Sequence, residues 1–578
     1  MADAPHGHGP QSFWRRYVFA TDHKVIGLQY FFTSWIFLLL GFMMVLLMRW
    51  ELAYPGAPIP LAGRWISPIL APGGIMTGEL YNSLGAMHGT LMIFLGIVPL
   101  GFAAFGNYIL PLQIGAGDMA FPRLNMASYW LFLAGGLLML SSFILPGGAA
   151  QSGWTSYAPL AEINPGQTTW LVSMVLIITS SLLGAVNFLT TGINMRAPGM
   201  SLFRMPVFVW AQLVTSVLLL LAFPPLEAAA VLQLMDRVLH TSFFIPAGLV
   251  VLGTKVAASG GGSPLLWQHL FWFLGHPEVY VLLLPAMGIV CEVVAANTRK
   301  PLHGYRIIVY SMLAIGALSF VVWAHHMFVS GMAPMLGNFF LVTTMLISVP
   351  SVAILTSMIY SLQGGSIRFT VPMLFALAFM PLFGVGGLTG LPLGLTVTDI
   401  YLHDTYYIIG HFHYVVVTGS IIALMGGVYH WFPKWFGRKM NDFWGKVHFW
   451  GSVLAMNGVF FPMFIIGLHG ESRRLYDPTA QLHNLPAHHW HVVSTISAGL
   501  LTLFQLPFVI NVIHGIFWGE KTEENPWKAT TLEWACPSPP PHGNFEKPPR
   551  VYHDPYGYSV PGYREDWLPQ NVEWEGAS

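Results

Sequence analysis

Long apolar segments recur along the whole chain and limit its possible folds more than any other feature. A segment of about 20 apolar residues is long enough to cross a bilayer as a helix. Only 9% of the 578 residues are charged, whereas a soluble chain carries about a quarter. We count twelve apolar segments, at roughly 26–48, 84–110, 127–147, 168–191, 206–232, 267–293, 305–328, 337–362, 370–394, 405–431, 446–468 and 491–517. The sequence therefore predicts an all-α, polytopic membrane protein with about twelve transmembrane helices, and not a soluble enzyme with one anchor.

Basic residues are distributed unevenly between the two sides of the predicted membrane domain. Excluding the residues after Lys528, segments on the side of the N-terminus hold sixteen Lys and Arg residues, and loops on the other side hold six. Cytoplasmic loops carry such an excess, so we expect both termini in the cytoplasm. The N-terminus lacks the form of a signal peptide. We divide the chain into a cytoplasmic N-terminal segment (1–25), a twelve-helix domain (26–518) and a cytoplasmic Pro-rich tail (519–578).

Charge and cysteine content exclude several classes of function. The formal net charge is zero, so no nucleic-acid partner is implied. The two cysteines, Cys291 and Cys536, are too few for a disulfide framework or for an iron–sulfur cluster held by this chain alone.

Histidines within the apolar segments are the strongest functional signal. A polar side chain inside a bilayer is costly and usually marks a metal site or a proton relay. A lone buried histidine can equally be a core residue hydrogen-bonded to its neighbours, but several together favour metal ligation. Six of them occur in four segments: His88, His276, His325, His326, His411 and His413.

The pair in HDTYYIIGHFHYVV is expected to serve two metals. Successive residues of a helix are turned by about 100°, so His411 and His413 point from opposite faces. The consecutive His325 and His326 of FVVWAHHMFV can share one ion only if it lies in the wedge between the two rings.

His276 lies in the segment WFLGHPEVYVLLLP, where the proline that follows it bends the helix. Three imidazoles without a carboxylate or thiolate suit copper or zinc, and a redox centre in a membrane favours copper. Tyr280 lies four residues on and shares a helix face with His276. This phenol is either an ordinary buried tyrosine or a source of an electron and a proton.

These motifs carry a family resemblance that covers about residues 20–550. GHPEVY, AHH, HDTYYIIGHFHY, FGNYILPLQIGAGDMAFPRLN and ATTLEWACPSPPP resemble the catalytic subunit of heme-copper oxygen reductases of the cytochrome c oxidase subunit I kind. The resemblance implies two hemes, of A type, and one copper ion. It implies that His88 and His413 hold a low-spin heme iron, that His411 holds a high-spin heme iron, and that His276, His325 and His326 hold copper. It also implies a covalent bond between Tyr280 and His276.

Four polar residues are candidates for proton uptake. Asp118 lies in the predicted cytoplasmic loop before the third span, flanked by Asn107 and Asn125. By itself this aspartate is more often a solvated loop residue. Glu278 lies near the middle of the sixth span, where a lone carboxyl group is expected to hold its proton at rest. The resemblance implies a proton route from Asp118 to Glu278.

A second proton route is in doubt. The family usually has a lysine in the eighth span, and the matching residue in VPSVAILTSMIYSLQGGS is Ile354. Ser351 and Thr356 could hold water there, or could bond back to their own helix. Glu292, near the cytoplasmic end of the sixth span, is a candidate entrance.

Further contacts with the hemes are implied on the outer side of the membrane. Arg473 and Arg474 in GESRRLYDP match residues that hold heme propionates, although a solvated loop pair is the simpler interpretation. Arg49 matches the residue that bonds the formyl group of an A-type heme. Trp272 shares a face with His276 and matches an aromatic residue near the active site, but many tryptophans here are packing residues.

The resemblance implies a respiratory oxidase that reduces dioxygen to water and translocates protons. Expected partners are the lipid bilayer, other oxidase subunits including a subunit II through which electrons enter, and cytochrome c as donor. His403 and Asp404 match a magnesium site completed by another subunit. A bacterial inner membrane is the expected location. The alternatives are a quinol oxidase or nitric oxide reductase on the same fold, and a non-redox transporter with a Glu278–histidine relay.

Overall fold

A computed structural model describes residues 12–61, 63, 65, 66, 68–251, 254–256, 260–574 and 576. The first eleven residues of the predicted N-terminal segment lie outside the described residues. So does Arg64, one of the six basic residues assigned above to the outer side.

Within the described residues, eleven helices are long and apolar enough to cross a membrane, and a twelfth apolar helix is shorter. We number them α1 (His23–Ala53), α2 (Gly78–Ile114), α3 (Pro122–Ser141), α4 (Gln167–Asn194), α5 (Val207–Val238), α6 (Pro264–Thr298), α7 (Tyr305–Val321), α8 (Pro334–Leu362), α9 (Val371–Leu393), α10 (Tyr406–Phe436), α11 (Asp442–Leu468) and α12 (Leu482–Trp518). The all-α, polytopic class predicted from the sequence is confirmed.

The seventh segment differs from its predicted bounds of 305–328. Its α-helix ends at Leu318 and continues only as a 3₁₀ turn, Ser319–Val321. A separate 3₁₀ segment, Trp323–Met327, then carries His325 and His326. Hydropathy could not reveal this break, because the residues after Leu318 remain apolar.

Two membrane helices contain π-helical turns beside candidate ligands. In α2 the π segments Leu91–Ile97 and Pro99–Ala104 begin shortly after His88. In α10 the segment Val416–Ile421 begins shortly after His413. Such turns occur frequently at functional sites because they change the direction of the side chains that follow.

The remaining elements are short. They are helices Trp14–Val18, Pro72–Gly74, Leu160–Ile163, Leu202–Arg204, Thr396–Leu402, Pro478–Ala480 and Leu532–Trp534, and the antiparallel strand pairs Val250–Val251 with Thr254–Lys255 and Gly557–Tyr558 with Trp567–Leu568.

Burial separates inner from outer helices. The central windows of α2 and α6 are largely buried, whereas only 28%, 22% and 28% of the residues in those of α1, α8 and α12 are buried. Helices consecutive in the chain pack together, as α3 with α4, α5 with α6, and α11 with α12 do. The inner helices α2 and α6 carry His88 and His276, so the packing places these side chains in the interior.

The C-terminal tail is mostly irregular, and it packs against the helix ends rather than extending away. Asn544 donates a hydrogen bond to the Ala116 carbonyl oxygen at 2.8 Å. Arg299, at the end of α6, forms an ion pair with Asp566 at 2.6 Å. The tail therefore covers the side of the domain where α2 and α6 end.

Candidate metal centre and proton path

One cavity of about 1380 Å³ unites most of the predicted site residues. The predicted residues that line it are His88, His276, His325, His326, His411, His413, Tyr280, Glu278, Trp272, Arg49, Arg473, Arg474, His403, Asp404 and Ser351. Its wall is mainly apolar, which suits a large apolar cofactor held by a few polar groups.

Three histidines converge on one point of this cavity. The ligand nitrogens of His276, His325 and His326 lie within 4.8 Å of one another, the one such cluster found among the described residues. His276 Nδ1 lies 3.3 Å from His326 Nε2, and His325 Nε2 lies 3.1 Å from the same atom. Bonds of about 2.0–2.1 Å from each ligand nitrogen to one ion give similar spacings. The cluster therefore fits a single metal ion.

The protonation of His325 follows from its neighbour Thr344. The Thr344 hydroxyl donates to the Phe340 carbonyl oxygen at 2.5 Å, so its oxygen is left to accept from His325 Nδ1 at 2.9 Å. The ring proton therefore lies on Nδ1, and the Nε2 lone pair faces the cluster. Such a partner fixes both the tautomer and the ring orientation of a metal ligand.

Aromatic groups hold the other two rings of the cluster. The Trp272 indole stacks on His326, with ring centroids 3.8 Å apart and planes 10° apart. Its N–H donates to the hydroxyl of Tyr157. The Tyr280 hydroxyl lies 3.2 Å from His276 Nε2, so the phenol contacts the ring edge that faces away from the cluster.

The three proposed heme ligands share one hydrogen-bonding pattern. Nδ1 of His88 bonds the Gly41 carbonyl oxygen at 2.8 Å, and Nδ1 of His413 bonds that of Ile409 at 2.7 Å. Nδ1 of His411 bonds the Gly386 carbonyl oxygen at 2.9 Å. A carbonyl oxygen can only accept, so each ring carries its proton on Nδ1 and offers Nε2 as a ligand. These residues fit iron ligation.

His411 and His413 face different helices, which agrees with the prediction that they point from opposite faces. His411 reaches Gly386 of α9, whereas the ring of His413 stacks on Phe460 of α11 at 4.6 Å. Two groups on opposite sides of α10 can therefore be served by this one helical turn.

The residues predicted at the mouth of the proton route are close together. Asn125 donates to Asn107 at 2.6 Å, and Asn107 accepts a hydrogen bond from His23 through its backbone oxygen, also at 2.6 Å. Asp118 accepts from the Met119 amide at 2.7 Å. Burial raises the pKa of Asp118, and the neighbouring His23 opposes that shift.

A line of hydroxyl groups that the sequence analysis missed continues from this mouth. Ser128 donates to the Asn125 carbonyl oxygen at 2.7 Å. The Tyr30 hydroxyl lies 3.1 Å from Ser128 Oγ and 3.3 Å from Ser180 Oγ. All three side chains are buried. Buried polar residues in otherwise apolar spans were the signal that could have identified them.

Glu278 lies in an apolar part of the cavity wall. The residue is 1% exposed, and neither carboxyl oxygen has a hydrogen-bond partner among the described residues. A carboxyl group without partners is free to turn and to exchange a proton with water in the cavity.

Two candidates for a second proton route, Thr356 and Glu292, do not line the cavity. Thr356 is exposed on α8 and does not line the cavity, because it lies on the outward face of that helix. Glu292 is 4% exposed and accepts hydrogen bonds from the Phe208 amide and the Tyr556 hydroxyl. Tyr556 of the C-terminal tail thus covers Glu292.

The other two α8 residues considered for the second proton route, Ile354 and Ser351, face the interior of the protein. Ile354 is fully buried and has no group that could carry a proton. Ser351 lines the cavity, and its hydroxyl bonds back to the Ile347 carbonyl oxygen at 3.3 Å.

The predicted magnesium ligands are engaged with other side chains. Asp404 forms an ion pair with Arg473 at 2.5 Å. His403 Nδ1 lies 3.1 Å from Asp399 Oδ2. Arg474, which was predicted to hold a heme propionate, lies next to this group, and its Nη2 is 3.4 Å from the Thr155 hydroxyl. His403 and Asp404 are therefore not part of the one cluster of three or more ligand atoms found among the described residues.

Thr344 and Tyr157 are two more residues that the sequence analysis missed. Both act on cluster residues from elements distant in the chain, so no local pattern could have connected them with His325 or Trp272.

Comparisons with known proteins agree with the geometry of the site. Residues 25–500 match the family described as cytochrome c and quinol oxidase polypeptide I. The chain is 46% identical over 556 residues to cytochrome c oxidase subunit 1 of Synechocystis sp., covering 95% of this chain and 94% of the relative. It is 43% identical over 571 residues to the alternative cytochrome c oxidase subunit 1 of Bradyrhizobium diazoefficiens, covering 97% and 94%.

A third relative and one solved structure extend this result. Cytochrome c oxidase subunit 1 of Cereibacter sphaeroides is 40% identical over 590 residues, covering 98% of this chain and 99% of the relative. A heme-copper terminal oxidase dimer solved by cryo-electron microscopy superposes with a TM-score of 0.68 at 18% identity, covering 87% of this chain and 85% of that one. That structure supports the fold alone.

Proposed function

The chain belongs to the family of cytochrome c and quinol oxidase polypeptide I, and from this premise we propose how its residues carry out the reaction. It is the catalytic subunit of a heme-copper terminal oxidase, an integral membrane protein that works with heme, copper and other subunits. We infer that it reduces dioxygen to water and couples this reaction to proton translocation.

We assign the metal ligands as follows. His276, His325 and His326 hold copper, His411 holds a high-spin heme, and His88 with His413 holds a low-spin heme; both hemes are of A type. The observation that carries this assignment is the convergence of three histidine nitrogens within 4.8 Å in the cavity that also contains the other three. When bound, the hemes and copper would supply the electron transfer to dioxygen.

The protein's own residues hold these ligands in one orientation. Backbone oxygens fix the proton on Nδ1 of His88, His411 and His413, and Thr344 does the same for His325. The Trp272 indole stacked on His326 blocks rotation of that ring. Rigid ligands lower the cost of reorganisation when electrons arrive.

Protons reach the reaction site from two side chains. The Tyr280 hydroxyl, next to His276, donates a proton at its oxygen during turnover. Glu278 carries protons from the Asp118 side to the cavity, supported by its lack of fixed partners among the described residues and by the hydroxyl line through Ser128. We propose that Asn107 and Asn125 order water at the mouth of this route.

Electron supply and location are inferred from the relatives. We propose cytochrome c as the donor because the relatives compared are named cytochrome c oxidases, although the family description also includes quinol oxidases. Electrons enter through a subunit II. We place the complex in a bacterial inner membrane with both termini cytoplasmic, and propose that a partner subunit completes a magnesium site at His403 and Asp404.

A reduced-minus-oxidised optical spectrum of the purified complex, together with metal analysis, tests this function. We expect two A-type hemes and one copper ion per catalytic subunit, held in addition to any copper of subunit II. A transporter would show no heme, and a complex without copper in the catalytic subunit would contradict the assignment of His276, His325 and His326.

A further inference from the structure

A buried cluster of three ionisable side chains lies beside the cavity; one of them, Arg49, is a predicted heme contact, and the other two have no role in the function proposed above. His491 Nε2 lies 2.7 Å from Glu471 Oε1, and both side chains are 0% exposed. Arg49 Nη2 lies 3.3 Å from His491 Nδ1 and 2.9 Å from the His491 carbonyl oxygen. The three groups come from α1, the loop before α12, and α12, so they meet only in the folded protein.

The hydrogen bonds determine where the protons are. A guanidinium can only donate, so His491 Nδ1 accepts from Arg49. The ring proton is therefore on Nε2, from which it is donated to Glu471 Oε1. The result is a chain of donors from Arg49 through neutral His491 to a carboxylate.

One atom of this chain is left without a partner. Glu471 Oε2 is buried and has no hydrogen-bond partner among the described residues. A proton bound to Oε2 would leave the bond between His491 and Oε1 in place. Protonation would thus neutralise the carboxylate without breaking the chain, and would leave the Arg49 charge uncompensated.

Arg49 connects this chain to the cavity. Its side chain lines the same cavity as His88 and His413, and it lies close enough to His413 for electrostatic interaction. We propose that Glu471 and His491 are positioning residues that hold Arg49, and that Glu471 takes up a proton when the low-spin heme is reduced. This inference rests on the proposed function, since it requires a low-spin heme between His88 and His413.

The step balances in charge. If the respiratory donor supplied one electron to a heme iron held by His88 and His413, one proton from water would bind Glu471 Oε2. Loss of the carboxylate charge leaves Arg49 with a net positive charge, which offsets the added electron. Coupling of this kind is reciprocal, so raising the pH lowers the affinity of the heme for its electron.

The surroundings keep Glu471 able to exchange a proton near neutral pH. Burial raises the pKa of Glu471 to about 7, and the charge of Arg49 opposes that shift. The other titratable groups facing the cluster are Tyr81 of α2, Tyr406 of α10 and His488 of α12. None of these three is a carboxyl group, so Glu471 is the one carboxyl group of the cluster among the described residues.

Redox titration of the complete oxidase complex tests the proposal. The midpoint potential of the low-spin heme would be followed optically from pH 6 to pH 8.5 in wild type and in Glu471→Gln. We expect the wild-type potential to fall as the pH rises and the variant to lose most of this dependence. The absorption band of the low-spin heme should also shift in the variant, because Arg49 is held differently.

Glu51→Gln is the matched control. Glu51 is also buried at 1% exposure, bonds a backbone amide through one oxygen, and has a second oxygen without a partner among the described residues. Its bonded amide belongs to Gly56, outside the chain of Arg49, His491 and Glu471, so its variant should keep the wild-type pH dependence. His491→Gln, which preserves Glu471 but removes the connecting ring, should lose the dependence as Glu471→Gln does.

The outcomes are distinguishable. A wild-type potential that does not change with pH would overturn the proposal without any variant. An unchanged dependence in Glu471→Gln, or an equal loss in Glu51→Gln, would also overturn it. If the wild type contains no low-spin heme, the proposed function itself fails; if the heme is present and its potential is insensitive to pH, only the proton coupling fails.

Discussion

Replacing Thr344 by valine should weaken copper binding while leaving both hemes in place. Valine keeps the shape of threonine but cannot accept the hydrogen bond from His325 Nδ1, which is 2.9 Å long in the structure. A buried donor without a partner costs about 1–3 kcal/mol. Because each 1.4 kcal/mol is a factor of ten, copper affinity should fall roughly 5- to 150-fold.

The measurement is copper retention in the purified complex against increasing chelator, normalised to the optical signal of the low-spin heme. Thr343→Val is the matched control. The Thr343 hydroxyl bonds to the carbonyl oxygens of Phe339 and Phe340 in its own helix, so its removal should not affect copper. Thr344→Ser should retain the metal because its hydroxyl can still accept.

The reasoning would be refuted if Thr344→Val and Thr343→Val lost copper at the same chelator concentration. Loss of the low-spin heme in Thr344→Val would also contradict it, because that result would indicate misfolding rather than release of His325.

Three further predictions concern ligands and protons. His411→Ala should remove the high-spin heme and spare most of the low-spin one, and His413→Ala should do the reverse; equal loss of both hemes in both folded variants would contradict the assignment. Asp118→Asn should slow oxygen consumption at least about tenfold, as expected when a positioned proton donor is removed, with heme and copper contents unchanged; full turnover and pumping would exclude this route. Ser351→Ala and Glu292→Gln should leave the rate of active-site reduction within about twofold of wild type, whereas Asp118→Asn should slow it. The reason is that one route, through Asp118, is expected to supply the protons both for reduction of the active site and for turnover. Slowing by either of the first two variants would demonstrate a second route.

Several properties of this protein follow from its sequence alone. Membrane helices are local features of about 20 apolar residues, so the hydropathy pattern by itself indicates the fold class and the approximate number of spans. The opposite directions of His411 and His413 also follow from the helix period. Recognition of the family depends on short motifs such as GHPEVY and HDTYYIIGHFHY, whose residues are close in the chain.

The rotation of each helix about its axis and the neighbours of each buried group depend on tertiary packing and could not be predicted from the sequence. Thr356 is a hydroxyl residue of an apolar span, but the packing of α8 turns it outward, away from any route. Glu292 lies near a helix end, where an entrance is expected, but Tyr556 of the distant tail bonds to it. The link between Arg49, His491 and Glu471 joins residues far apart in the chain. Hydropathy reports how deep a residue lies in the membrane but not which neighbouring helix it faces, because rotation about a helix axis depends on packing against all its neighbours.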